Sequence, residues 1–272
     1  IDDFSDGDLT SNPAWNGQLN SFKTNSSKQL QLDESGSGEA FLSTPSNFID
    51  GAEWRLYIKM NFNPSNQNNF RFYLASNEQD LSKDALDGYF IEIGENGSDD
   101  AVKLFAKQGN TENLLVSSQA GSASANPEVL VKVIIKQDGT WELYKDFGLS
   151  GLYSLEGTAN DQSVSQSNHT GIFCNFTTSN ATNFYFDDFY AGPIVKDTLP
   201  PKIDQVNVNS PTEIYVSFDE PVDKTPAETT SNYEILPGIG QPVSASLQAN
   251  QHGVTLNLNQ ALANGNNYTI VA

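Results

Sequence analysis

The sequence predicts an all-β chain built as two sandwiches, and three observations predict it. Apolar and polar residues alternate with a period of two along most of the chain. No window carries the 3.6-residue apolar stripe of a helix, and turns rich in Asn, Asp and Gly separate the alternating runs. A length of 272 residues suits one large or two smaller domains, and 37% hydrophobic content can fill their cores.

The clearest element is 53–62. Trp54, Leu56, Ile58, Met60 and Phe62 share one face, while Glu53, Arg55, Tyr57, Lys59 and Asn61 share the other. Ten alternating residues with a polar outer face read as a long antiparallel strand. Further strands are expected at 70–76, 89–94, 101–107, 129–136, 141–145, 152–156, 171–177 and 183–190. Turn-forming stretches such as 64–69, 94–100 and Asp138-Gly139 lie between them. Many strands joined by polar turns give a jelly-roll sandwich.

Gly192-Pro193 closes the last of these strands, and Leu199-Pro200-Pro201 forms a stiff, extended joint. The domains are therefore drawn at 1–195 and 199–272. Short strands follow at 203–208, 213–219, 232–236, 243–248, 254–258 and 267–271, the spacing of a small immunoglobulin-like sandwich. That fold needs about seven strands. Six are legible, so the second domain is expected to lack its final strand and the chain to be a piece of a longer protein.

Charge narrows the partners. Fourteen Lys and Arg against 34 Asp and Glu leave a net charge of −20. Nucleic acid, which requires a basic stripe, and anionic membrane surfaces are disfavoured. No apolar run approaches the ~20 residues of a membrane span. A single cysteine, Cys174, excludes a disulfide framework and a cysteine metal cluster. Alternation with Ile172 and Phe176 makes it a buried, inert thiol. His169 and His252 are far apart in turn-like stretches, where exposure is expected. Low sulfur content with abundant Asn, Ser, Gly and Thr fits a secreted or outer-cell-surface protein.

The stretch 88–105, with Gly88-Tyr89-Phe90-Ile91-Glu92-Ile93 and Asp99-Asp100-Ala101-Val102, resembles a strand–loop–strand of concanavalin A-like (laminin-G-type) jelly rolls in secreted bacterial proteins. The segment Asn183-Phe184-Tyr185-Phe186-Asp187-Asp188-Phe189-Tyr190 resembles their closing strand, and the opening Ile1-Asp2-Asp3-Phe4-Ser5-Asp6-Gly7-Asp8 is similar to their start. Pro200-Pro201-Lys202-Ile203 with Val216-Ser217-Phe218-Asp219-Glu220-Pro221 resembles bacterial surface Ig-like repeats of the S-layer-protein type. The resemblance implies a multidomain exported protein of Gram-negative gliding bacteria, often ending in a lamin-tail-like domain and a type IX sorting signal. It specifies fold more closely than function, because this fold hosts lectins, glucanases and inert spacers alike. Asp197-Thr198-Leu199 also resembles the O-glycosylation triplet of such bacteria, with Thr198 as acceptor.

Three constellations could carry chemistry. Related glucanases carry a Glu-x-Asp-x-(x)-Glu strand whose acids flank the scissile bond. Here the nearest match is Glu92-Ile93-Gly94-Glu95, which has glycine in the middle position and a spacing that turns the two acids to opposite faces. Glycoside hydrolysis is therefore the third-ranked reading. Acidic loops offer Asp2, Asp3, Asp6, Asp99 and Asp100 as candidate ligands for a structural calcium, although Asp and Asn also favour turns with no metal involved. Asp187 and Asp188 are expected on opposite faces. The last constellation is a strand face on which Arg71, Tyr73, Phe90, Glu92, Lys103 and Phe105 project outward if Ile91 and Ile93 point in. Rings that stack on pyranoses beside planar Arg suit a polysaccharide or surface glycan. Lys132, Lys136, Arg55, Tyr57 and Lys59 belong to the same class of outward base and aromatic. The leading expectation is a non-enzymatic module for glycan binding or adhesion. The alternative is a spacer or secretion-cargo domain with no ligand of its own.

Overall fold

The computed structural model describes residues 1–196 and 198–272, and the chain divides into two compact units, Ile1–Val195 and Lys196–Ala272. The first unit holds β1 (Asn16–Gly17), β2 (Phe22–Thr24), β3 (Leu30–Leu32), β4 (Gly38–Pro45), β5 (Ala52–Met60), β6 (Asn69–Ser76) and β7 (Gly88–Ile93). It continues with β8 (Lys103–Gln108), β9 (Thr111–Ser117), β10 (Glu128–Ile135), β11 (Thr140–Asp146), β12 (Ser154–Asn160), β13 (His169–Phe176) and β14 (Phe184–Pro193).

These strands form two antiparallel sheets of seven. One runs β1-β4-β13-β6-β7-β8-β9 and the other β12-β11-β10-β5-β14-β3-β2. The alternation of β5 sends Trp54, Leu56, Ile58 and Met60 into the space between the sheets, all fully buried. Phe70 and Phe72 of β6, Ile91 and Ile93 of β7, Leu104 of β8 and Ile172, Cys174 and Phe176 of β13 meet them from the opposite sheet. Trp54 stacks on Trp141 of β11 with centroids 6.0 Å apart. The Cys174 thiol has no contact with solvent, and burial pushes its pKa well up.

Five strands, β1–β4 and β9, are absent from the sequence-based expectation. In β4 five consecutive residues, Ala40 through Thr44, are buried, so no polar face alternates with the apolar one. In β9 the reverse holds, with five of seven residues exposed on a sheet edge. Asp187 and Asp188 do not simply alternate. The register of β14 against β5 shifts between Asp187 and Tyr190, and Asp188 takes a φ of 50°. The N-terminal segment pairs with this bulge through a bridge between Asp2 and Phe189. The histidines are half-buried rather than exposed, because His169 opens β13 and pairs with Pro45 and Ser76, while His252 packs beside Phe218.

The second unit carries β15 (Ile203–Ser210), β16 (Glu213–Phe218), β17 (Glu234–Leu236), β18 (Ser244–Leu247), β19 (Gly253–Asn257) and β20 (Thr269–Val271), with one short helix, Lys224–Ala227. A four-stranded sheet β15-β16-β19-β18 and the pair β17-β20 enclose Ile214, Val216, Tyr233, Ile235, Val254 and Leu256.

Candidate functional site

The six residues expected to face a glycan lie together on the outer face of the β1–β9 sheet. Register aligns Arg71 with Glu92 and Glu92 with Lys103 in one row, and Tyr73, Phe90 and Phe105 in the next. Their inward neighbours Phe72, Ile91 and Leu104 enter the main core, which fixes the face. Gly94 closes β7 at φ 113°, and a Cβ there would lie 2.6 Å from that of Asn69, so glycine is required by both conformation and space.

Arg71 organises the centre. Its Nε donates to Glu92 at 2.7 Å, while Nη1 and Nη2 donate to the two oxygens of Glu112 at 2.7 and 3.1 Å. The guanidinium lies over the Phe90 ring, 4.4 Å from its centroid, and Phe90 stacks on Phe105 at 5.1 Å. Lys107 adds a second cation to Glu112 at 3.0 Å. Burial pushes the Glu112 carboxyl up, but the Arg71 and Lys107 hydrogen bonds and charges outweigh it and hold the pKa below the ordinary value. At Glu92 burial wins and the pKa is raised despite Arg71. The Arg71 pKa is raised as well, because the two carboxylates outweigh its desolvation.

The expectation that Tyr73 and Phe90 project into solvent is corrected. They are 2% and 0% exposed and form a small second core with Phe41, Leu81 and Leu86, against which Phe105 and Phe173 pack. The physical cause is a third layer: the 77–87 connection between β6 and β7 folds across this face. It is tied down by Ser43 Oγ to the Gln79 carbonyl and Asn168 Nδ2 to the Asn77 carbonyl. Lys103 pairs with Glu95, so both acids of the glucanase-like stretch already face cations.

Between that layer and the sheet opens a polar cleft of about 270 Å³. Its lining takes Arg71, Lys107, Glu112, Asn69, Phe173 and Asn175 from the sheet, with Ser82, Lys83 and Asp84 from the covering connection. Phe173 presents a half-buried ring, and the Asn175 and Asn69 amides stand beside it, both turned toward the Asn66 carbonyl. Sequence reasoning missed Phe173, Asn175 and Glu112. The first two alternate with buried Ile172, Cys174 and Phe176, so period two carried their outward signal. Glu112 sits in a strand that periodicity did not reveal.

The acidic candidates do not converge on a cation. Among the described residues no three Asp, Glu, His or Cys side chains are arranged to hold a metal. Asp2 has both oxygens engaged, by the Phe4 amide at 2.8 Å and Trp15 Nε1 at 2.7 Å, and burial raises its pKa. Asp3 and Asp6 cap their own turns through the Ser5 and Asp8 amides. Asp100 is buried and accepts from the Glu95 amide, while Asp99 is exposed. The hydrogen bonds at Asp2, Asp3, Asp6 and Asp100 close local turns. Burial, with Asp188, Asp3 and Asp2 nearby, lifts Asp187 to about 6. Thr198 is exposed, and Asp197 of its triplet lies outside the described residues. No helix among the described residues is long and apolar enough to cross a membrane.

Comparison with known proteins matches residues 191–272 to a bacterial Ig-like domain family. No curated protein sequence matches the chain. Among solved structures the chain is similar to the exoplasmic/lumenal domain of VIP36 in its Ca2+/Man2-bound form, with TM-score 0.54, 14% identity and coverage of 74% of this chain and 89% of that one. The Ca2+/Man-bound form of the same domain gives TM-score 0.53 at 12% identity over 68% of this chain and 84% of that one. The Emp47p carbohydrate recognition domain gives 0.51 at 10% identity, covering 71% and 94%. The architecture is thus a concanavalin A-like jelly roll followed by a small Ig-like sandwich.

Proposed function

We propose that residues 1–195 form a non-enzymatic glycan-binding module of a secreted or cell-surface protein, with 199–272 as an Ig-like spacer. The observation that carries this reading is the cleft lined by the Phe173 ring, the Asn69 and Asn175 amides and the charged side chains of Arg71, Glu112 and Lys107. Such a site stacks one face of a pyranose on the ring and meets its hydroxyls with amide and charge-assisted hydrogen bonds. Counting Glu92 on the far side of Arg71, two cations meet two carboxylates, which suits uncharged hydroxyls.

The likeness to domains whose structures hold mannose supports the reading at the level of fold. Hydrolysis is disfavoured because Arg71 stands between Glu92 and Glu112, so the carboxylates face a guanidinium and not a scissile bond. No step of the reading runs through calcium. A glycan array probed with wild-type protein and with Phe173→Ala tests it: wild type binds a subset of glycans and the variant loses them.

A further inference from the structure

The opposite sheet carries a second set of aromatic and basic side chains, unconnected with the cleft. On its outer face register aligns Tyr144 of β11 with Lys132 of β10, Lys132 with Arg55 of β5, and Arg55 with Tyr190 of β14. The row crosses four strands, about 14 Å at the ordinary strand spacing. Lys132 Nζ sits between two rings, 4.5 Å from the centroid of Tyr144 and 4.6 Å from that of Tyr153. Arg55 lies over Tyr190 at 5.7 Å. Tyr153 from the connection between β11 and β12 lies over Lys132, and Leu130, Ile134, Tyr57, Tyr144, Tyr153 and Tyr190 all remain half-exposed.

Charge singles out one member of the row. Arg55 is neutralised by Glu53, whose other oxygen accepts from the Val195 amide. Glu142 is engaged by Lys136 and the Tyr144 hydroxyl. Lys23, Lys59, Arg71, Lys103, Lys107 and Lys145 each have a carboxylate partner. Among the described residues Lys132 is the one strand-borne Lys or Arg without an ion pair, although Glu53 and Glu142 act on it at longer range. Its half-buried ammonium lies against two π faces, which supply attraction but no direct ion pair.

We propose that this row is a second saccharide-binding surface, for carboxylated sugars, in which the tyrosine rings take the pyranose faces and Lys132 takes the carboxylate. The ligand carboxylate supplies the contact anion that Lys132 lacks, and its partly desolvated setting strengthens the pair. The chain's net negative charge opposes a polyanion at long range, but salt at 0.15 M screens that repulsion beyond about 8 Å while sparing a contact pair. With the cleft on the other sheet, the domain would present two faces to different parts of a glycan matrix.

Calorimetric titration of the 272-residue chain at 0.15 M salt with oligogalacturonate, and separately with its fully methyl-esterified form, tests this. Oligogalacturonate binds, and the uncharged ester binds at least tenfold more weakly. Lys132→Met loses at least tenfold, Lys132→Arg retains binding, and Phe173→Ala leaves it unchanged. The proposal is overturned if oligogalacturonate does not bind, if ester and acid bind alike, or if Lys132→Met binds as wild type does. Loss of binding in Phe173→Ala alone would put the uronate in the cleft, ending this proposal while sparing the cleft reading.

Discussion

Arg71 on β6 grips Glu112 on β9 through two parallel hydrogen bonds of 2.7 and 3.1 Å, although β7 and β8 lie between their strands. Three strand spacings amount to about 14 Å, and the long arginine and glutamate side chains close that gap across the sheet face. Bulges at Tyr73/Ala75 and Leu104/Phe105 supply local bending. The fork thus ties β6 to β9 across the face that carries the cleft.

Removing the guanidinium should cost much more than removing one acid. Arg71→Met leaves Glu92, Glu112 and Lys107 to share one positive charge in a largely buried setting, and a loss of about 3 kcal/mol is expected in urea unfolding. Glu92→Gln should cost under about 1 kcal/mol, because burial already disfavours its charge.

Phe90 joins the covering layer to the sheet. Phe90→Ala should destabilise by about 3–4 kcal/mol through the cavity left beneath Arg71 and Leu86. Limited proteolysis should then cut within 77–87 before the strands, whereas wild type resists there.

Asp187 gives a pH signature of definite sign. Its folded pKa of about 6 lies above the unfolded value near 4. Between those values the folded chain holds a proton that the unfolded chain has released, so stability falls as pH rises through the window and stays lower above it. The site is half-exposed, so the penalty at pH 7.5 is about 1 kcal/mol after screening. Asp187→Asn should therefore melt higher than wild type at pH 7.5, and the difference should vanish as pH falls toward 4.

Chelation supplies a check on the acidic loops. Calcium at a hundred times its Kd would add about 2.7 kcal/mol, which is several degrees in melting temperature. Because Asp2, Asp3, Asp6 and Asp100 are spent on their own backbone and on Trp15, EDTA should leave the melting temperature unchanged within about 1 °C.

Period two made the central strands legible, β5 above all, and with them the face shared by Arg71, Tyr73, Phe90, Glu92, Lys103 and Phe105. It failed where a strand has no contrast between faces. Both sides of β4 are covered, Phe41 by the small core and Leu42 by the main one, while β9 is exposed along most of its length. The covering of Tyr73 and Phe90 was illegible for a different reason. Leu81 and Leu86 are isolated apolar residues in a polar connection, and nothing in their spacing says where that connection folds. Long-range pairs such as Arg71 with Glu112 depend on strand order, which alternation does not encode.

The central claim is that the cleft binds a saccharide through Phe173. Its most direct test is a glycan array with wild type, Phe173→Ala and Lys132→Met side by side. The account predicts that wild type and Lys132→Met retain a common set of uncharged glycans that Phe173→Ala loses. Wild type binding no uncharged glycan, or Phe173→Ala retaining the full set, would contradict it.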